Sequence, residues 1–372
     1  MQKVGIVVDL GNSETRVGIF LNGKFYEKDI ANTFAALPAK YSLKREYINE
    51  DTIVFKLDKG YYAHGKLVEM EFLGRALRPS SLEAKTDQLV TRLSLVMVLY
   101  TAQYLVAKEL GVALGDVHLD IDFTIALPPL EHDISESKMA DLIRGIDGID
   151  LFSPRISLPM TISNVKVVPE AVTAFFGAFY EEINGSLGEY PLNAPFSEGY
   201  VLIIDIGAGT TDVALVKDTE LQLESKDTFK IGGNQVESLL LNEVKRQELG
   251  SPSESAIKEA VRTGFLTLGQ QSIDMSETLE SVKQIFSQKI QTELVRYFER
   301  ISVDLLEIKG LLLVGGGGLP SMRGNAITTN PLSDYFMTFF KKLAPHCELL
   351  NTRNVNLRRM NFEGMKIIHK YA

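Results

Sequence analysis

The chain has 372 residues, 45% of them hydrophobic and 23% charged, with a formal net charge of −9 and one cysteine. A length beyond one ordinary core predicts two domains of a soluble globular protein. The single cysteine, Cys347, excludes an intrachain disulfide and a cysteine-rich metal site, and the acidic balance argues against broad, sequence-independent nucleic-acid binding.

Lys3 to Asp9 and Arg16 to Phe20 have the alternation of a β-hairpin, and Asn22-Gly23 predicts a type I′ turn into a third strand. From about Ile30 to Thr91 the chain is mixed and turn-rich, which predicts a small inserted subdomain with a strand at Ile53 to Leu57. Leu93 to Leu110 has helical apolar spacing and stops at Gly111. Asp120 to Leu127 is a predicted strand ended by Pro128-Pro129. Val165 to Val168 is another, followed by a helix opening at Pro169. Glu170 lies in its first turn, where an acid either complements the helix dipole or orients a water for attack on phosphorus. Asn184 to Ser197 is predicted to be a surface loop.

Val201 to Val216 is the most informative stretch. Apolar β-branched residues lead into Asp205, Gly207, Gly209, Thr210, Thr211 and Asp212, and a second apolar run leaves. This predicts a hairpin of a buried sheet whose bend offers backbone amides to an anion. A carboxylate beside such a bend calls for a cation between it and a phosphate, so Asp205 is a candidate for holding Mg²⁺ through its waters. An ordinary glycine hairpin between core strands is the alternative. The same unit occurs earlier: with Asp9 on Asp205, Gly11 falls on Gly207, Ser13 on Gly209, Thr15 on Thr211, Arg16 on Asp212, Val17 on Val213 and Ile19 on Leu215. Two such hairpins facing each other would clamp a polyphosphate.

Further on, strands are predicted near Leu221 to Leu223 and Thr228 to Ile231, followed by Gly232-Gly233 and a helix from about Gln235 to Glu248. Glu259 and Arg262, three apart on a short helix, form either a surface salt bridge or a ligand contact. Apolar residues from Leu279 to Leu305 step by three or four through a long amphipathic helix. Leu311 to Val314 is a buried strand that ends in Gly315, Gly316, Gly317 and Gly318, where backbone can approach a ligand closely. Neither a P-loop nor a dinucleotide fingerprint is present. The five histidines lack metal-ligand spacing. Lys40, Lys44 and Arg45, or Arg353, Arg358 and Arg359, are where a local basic patch would lie. No continuous apolar run approaches the roughly 18 residues a spanning helix needs, and the N-terminus runs straight into a strand rather than a signal peptide, so the expectation is a cytoplasmic protein without membrane contact.

Taken together, Asp9-Leu10-Gly11 with Arg16, Pro169-Glu170, Asp205 through Asp212, the glycines 315 to 318, and Asn361 with Gly364 resemble the five nucleotide-site segments of the actin, Hsp70 and sugar-kinase superfamily. Val165 to Glu170, Ala126-Leu127-Pro128 and Glu363-Gly364-Met365 look like the ParM-type bacterial actin-like ATPases that segregate plasmids. The resemblance implies an α/β, actin-like fold of two duplicated RNase H-like domains around a cleft for Mg²⁺ and ATP, with GTP as the other possibility. Domain I would span 1–168 with an insert at about 30–91, domain II 169–350, and 351–372 would return to domain I. By the same resemblance, Asp9 and Asp205 flank the metal, and Gly11, Asn12, Ser13, Gly207, Ala208, Gly209 and Thr210 line the phosphates. Arg16 stands where the family usually has a lysine near the β-phosphate, Glu170 positions the water, Gly315 to Gly318 back the adenosine with Gly232 nearby, and Glu259 with Arg262 touches ribose or base. The implied function is filament assembly with a DNA-binding adaptor as partner and no direct nucleic-acid binding. A sugar-type kinase and an Hsp70-like or scaffold switch are the alternatives on the same fold.

Overall fold

Short runs of β-branched residues between turns build two α/β units in the computed structural model of this chain. It describes residues 1–11, 14–38, 52–80, 83–152, 155–196, 198–315, 322–323, 326–327, 331–350 and 359–371. One unit comprises Met1–Pro169 and Ile368–Ala372, the other Glu170–Ile367.

The first unit opens with β1 (Gln2–Leu10), β2 (Glu14–Leu21) and β3 (Lys24–Ala31), then β4 (Phe34–Ala36), β5 (Thr52–Leu57) and β6 (Gly60–Gly65). Helix α1 (Leu89–Leu110), β7 (Leu119–Leu127), α2 (Pro129–Arg144), β8 (Gly148–Leu151) and β9 (Ile156–Pro169) complete it. The sheet order is β3-β2-β1-β7-β9, and β9 is long enough to continue into antiparallel β8-β5-β6-β4. Along β1, Val4, Ile6, Val8 and Leu10 point to one face, where they join Leu93, Val96 and Leu99 of α1 in a single core. Each such side chain, fully buried, contributes roughly 1.5–3 kcal/mol.

The second unit runs α3 (Glu170–Phe179), β10 (Tyr180–Ile183), β11 (Ser186–Glu189), β12 (Tyr200–Ile206), β13 (Thr211–Lys217), β14 (Glu220–Leu221) and β15 (Asp227–Phe229). It continues through α4 (Asn234–Arg246), α5 (Glu254–Thr263), β16 (Phe265–Leu268), β17 (Gln271–Asp274), α6 (Ser276–Phe298) and β18 (Ile308–Val314). The last elements are β19 (Met322–Arg323), β20 (Ala326–Ile327), α7 (Pro331–Leu343), β21 (Glu348–Leu349) and α8 (Met360–Tyr371), which passes into the first unit at Ile368. Its main sheet is ordered β14-β13-β12-β18-β21, with β15 also on β13. The alternation of a strand divides β12 between two cores: Val201 and Ile203 pack on α3, while Leu202, Ile204 and Ile206 join residues of α4, α6 and α7. A sheet covered on both faces demands the nearly uninterrupted apolar runs seen in its sequence.

The repeat holds in three dimensions. The alignment that puts Asp9 on Asp205 carries the β1–β2 register onto the β12–β13 register, Asp9 opposite Arg16 and Asp205 opposite Asp212. Each first strand then pairs in parallel with a later one, β1 with β7 and β12 with β18.

Several local expectations are corrected. Helix α1 does contain an 18-residue window of mean hydropathy 1.5, but 78% of that window is buried inside the fold, which makes it a core helix. Pro128-Pro129 ends a strand as expected and also starts α2, since proline is well suited to a helix's first turn. The segment from Asn184 contains a hairpin, β10–β11, turned by Asn184 and Gly185 at positive φ. Helix α6 stops at Phe298, short of Ile301 and Leu305.

In the first unit the His369 ring stacks on Phe20 with centroids 5.2 Å apart and shares a 2.8 Å hydrogen bond with Thr124 Oγ1. Burial lowers its pKa below the ordinary 6.5; Asp122 opposes the shift and Lys166 adds to it. The folded state therefore keeps the ring neutral while the unfolded chain protonates near 6.5, so the stabilisation is complete above that pH and is lost as pH falls below it. The urea midpoint should drop between about pH 7.5 and about pH 5.5, and His369→Gln should remove part of that drop; an identical pH profile in the variant would contradict this.

Candidate functional site

Asp205 is half-buried near the end of β12, and residues 207–210 form the bend into β13. Gly207 N–H donates to the Thr210 carbonyl at 2.9 Å, which closes the bend. The carbonyls of Gly207 and Ala208 accept from Gly233 N–H at 2.9 Å and Asn234 N–H at 2.8 Å, so the loop is tied to the start of α4. Gly232 lies directly on it: a Cβ there would fall 2.4 Å from Gly209 C and 2.6 Å from Thr210 N. Among the described residues, the amides of Ala208, Gly209 and Thr210 donate no hydrogen bond. Three successive donors without an internal acceptor, on a loop held from behind, form a concavity suited to an anion.

The carboxylate is held on two sides. Asn361, in the first turn of α8, donates Nδ2 to Asp205 Oδ2 at 2.8 Å. Gly315 follows β18 with φ of +88°, a conformation that favours glycine, and a Cβ on it would lie 2.2 Å from Asp205 Oδ1. The other end of the Asn361 amide, Oδ1, is buried without a hydrogen-bond partner. A carboxylate beside an unsatisfied carbonyl acceptor fits a hydrated divalent cation, whose waters are donors. The described residues gather no cluster of three or more His, Cys, Asp or Glu side chains, and Mg²⁺, which keeps most of its water, needs none.

Glu170 is the first residue of α3, 9% exposed, and its carbonyl accepts from Thr173 Oγ1 at 2.7 Å. Ala171, Ala174, Phe175 and Ala178 fix α3 on β12, β13 and β18 of the sheet that carries Asp205. Gly177 and Gly364 meet where α8 crosses α3, so the helices bearing Glu170 and Asn361 share one close contact.

In the first unit, Asp9, Gly11 and Arg16 occupy the equivalent hairpin. Arg16 is buried and paired with Asp29 at 2.8 Å, with Glu14 at 3.4 Å and Glu27 at 3.6 Å. Its guanidinium thus serves the β2–β3 sheet, and contact with a phosphate would require part of this pairing to be exchanged. Asn32 braces the bend, donating Nδ2 to the Gly11 carbonyl and accepting from Thr15 Oγ1 at 2.8 Å. The second unit repeats the device at the aligned threonine: Thr211 Oγ1 donates to the Ile231 carbonyl at 2.7 Å. Neither the Gly233 tie nor the Asn361–Asp205 contact left a sign in the sequence; for Asn32 the only signal was the alignment of Thr15 with Thr211, whose hydroxyls both prove to be bonded.

Glu259 and Arg262 form a bidentate ion pair on the exposed face of α5, with nitrogen–oxygen separations of 2.9 and 2.5 Å. The Arg262 hydrogen bond lowers the Glu259 pKa. The structure binds the two to each other and not to the Asp205 loop. Asn12, Ser13, Gly316, Gly317 and Gly318 lie outside the described residues, as do Lys40, Lys44, Arg45, Arg353 and Arg358. A cavity of about 710 Å³ in the second unit is lined by Lys230, Arg296, Arg300 and neighbouring residues of β15 and α6 rather than by Asp205.

The family described as archaeal actin homologue MreB-like, C-terminal, matches residues 203–321. The cell shape-determining protein Mbl of Bacillus cereus is 26% identical over an alignment of 231 residues that covers 52% of this chain and 68% of Mbl. An archaeal actin homologue solved in complex with ADP superposes with a TM-score of 0.67 at 16% identity, over 100% of both chains. A ParM protein in a 15-stranded filament from Clostridium botulinum gives 0.60 at 17% identity, again over 100% of both. The chain has an actin-like fold.

Replacing Gly232 by alanine forces a methyl group into backbone. The variant should lose about 1–3 kcal/mol in denaturant titrations. A Gly232→Ala protein as stable as its parent would mean that the loop is not seated in this way.

Proposed function

We propose that this chain binds ATP with Mg²⁺, hydrolyses it, and uses the nucleotide state to control assembly into filaments of its own copies. The observation that carries the reading is the run of three undonated amides at Ala208, Gly209 and Thr210 beside the clamped Asp205 carboxylate. In this reading the amides take phosphate oxygens and Asp205 holds the water shell of Mg²⁺, which supplies charge neutralisation. In the same reading Asp9, Gly11 and Arg16 of the first unit also serve the nucleotide, Arg16 by exchanging part of its pairing with Asp29. Glu170, fixed on a buried helix, orients the attacking water. Phosphoryl transfer asks little covalent work of a protein, so positioning and electrostatics suffice.

Filament assembly is supported by likeness of fold to a ParM filament, and nucleotide binding by likeness to an ADP complex. ATP would favour one conformational state and hydrolysis the other, a shift limited by the difference in affinity. The finer reading is a cytoplasmic filament that segregates plasmid DNA through a DNA-bound adaptor. A cell-shape filament is the second reading, favoured by similarity to Mbl over half of the chain. Loss of plasmid inheritance on deletion supports the first; altered cell shape with normal inheritance supports the second.

Glu170→Gln should lower phosphate release by about 100-fold or more while ATP binding changes little. Full hydrolysis by that variant would remove Glu170 from the mechanism. Light scattering of the parent protein should rise on addition of ATP and Mg²⁺ and fall as nucleotide is consumed. A flat trace with sugar-dependent turnover would replace the filament with a kinase.

A further inference from the structure

We infer that Asn361 is a positioning residue for the metal, with its amide orienting the Asp205 carboxylate through Nδ2 and accepting a metal-bound water through Oδ1. The inference rests on the proposed Mg²⁺–nucleotide site and assigns one more residue to it.

Two observations converge on this side chain. Its Nδ2 lies 2.8 Å from Asp205 Oδ2, the geometry of a hydrogen bond to an ionised acceptor. Its Oδ1 is buried without a hydrogen-bond partner, although Nδ2 of the same amide has one. A buried acceptor left unmade costs roughly 1–3 kcal/mol, so a donor is called for at this point, beside a carboxylate. A water of hydrated Mg²⁺ is such a donor, polarised by the cation and drawn to the same carboxylate.

The backbone gives Asn361 little freedom. It lies in the first turn of α8, and α8 is seated on α3 at Gly364, where a Cβ would fall 1.6 Å from the Thr173 carbonyl oxygen, and at Gly177, where one would fall 2.5 Å from the Met360 carbonyl oxygen. On the far side of the carboxylate Gly315 closes against Oδ1. Asp205 is thus held between a donor and a backbone wall, and few other side chains could replace the donor. Aspartate would set a second negative charge against it, glutamine would overreach by a methylene, and leucine would fill the volume with neither donor nor acceptor. Partners that orient a metal ligand in this way usually carry about 10–100-fold in metal affinity.

The test is a titration of MgCl₂ into the full-length protein at fixed ADP, read as the ADP affinity, with Mn²⁺ binding by electron paramagnetic resonance as a second readout. Asn361→Leu should raise the half-saturating metal concentration by about tenfold or more, equivalent to about 1.4 kcal/mol. Because the effect is exerted partly through Asp205, adding Asn361→Leu to Asp205→Ala should shift the metal midpoint less than Asn361→Leu does alone. Should the leucine variant fail to fold by circular dichroism, Asn361→Ser is read in the same titration with the same expectation. A metal midpoint equal to the parent's in a folded variant, or shifts that add independently in the double variant, would overturn the inference and leave the nucleotide reading intact. A parent protein whose ADP affinity ignores Mg²⁺ would overturn both.

Discussion

A turn of four small residues holds a defined shape only if something fixes its backbone, and here that is backbone itself. Gly207 and Ala208 turn their carbonyls to the amides of Gly233 and Asn234, where α4 begins, and Gly232 lies against Gly209 and Thr210 with no room for a side chain. Fixing the carbonyls on one side leaves consecutive amides of the loop without internal acceptors. Donors arranged before a ligand arrives need not reorganise when charge appears, which is the main physical advantage a phosphate-handling site can have. The apolar strands β12 and β18 and the helices that cover them supply the burial that keeps this arrangement in place.

The two hairpins share register yet differ in what lies across them. Arg16 faces Asp9 on one side and Asp29 on the other, a row of charges compensated within the first unit. At the matching place in the second unit Asp212 faces Asp205 and takes a hydrogen bond from Thr228. The same bend is thus balanced by a cation in one copy and by a hydroxyl in the other. The threonines at 15 and 211 keep a similar brace, each bonded into the segment that follows a strand paired with its own, Asn32 after β3 and Ile231 after β15.

Helices α3 and α8 carry this local order further. The small residues of α3 bring it onto the sheet, and at Gly177 it meets α8 at Gly364 so closely that neither glycine has room for a Cβ. Glu170 and Asn361 sit at the N-terminal ends of these two helices. A disturbance of the crossing is therefore felt by both side chains, which makes their relative placement a property of the packing rather than of either residue. Where the same helical logic is strongly apolar, as in α1, it builds core.

The hairpins, their duplication, the buried strand ending in glycine and a helix with Glu170 in its first turn were legible in the residues, because each depends on neighbours a few positions apart; the helix itself begins at Glu170, Pro169 being the last residue of β9. Strand alternation, glycine at a bend and an acid in a first turn are local physics and leave local patterns. The pairing of Asn361 with Asp205 joins positions 156 residues apart and leaves no periodicity to read. The same holds for the Gly232 seat, the Asn32 brace and the diversion of Arg16 to Asp29, each set by which strand or helix arrives beside another. Spacing in the chain thus decided which groups were available and on which kind of element; long-range burial decided which of them touch, since that depends on the whole core closing and not on any one segment.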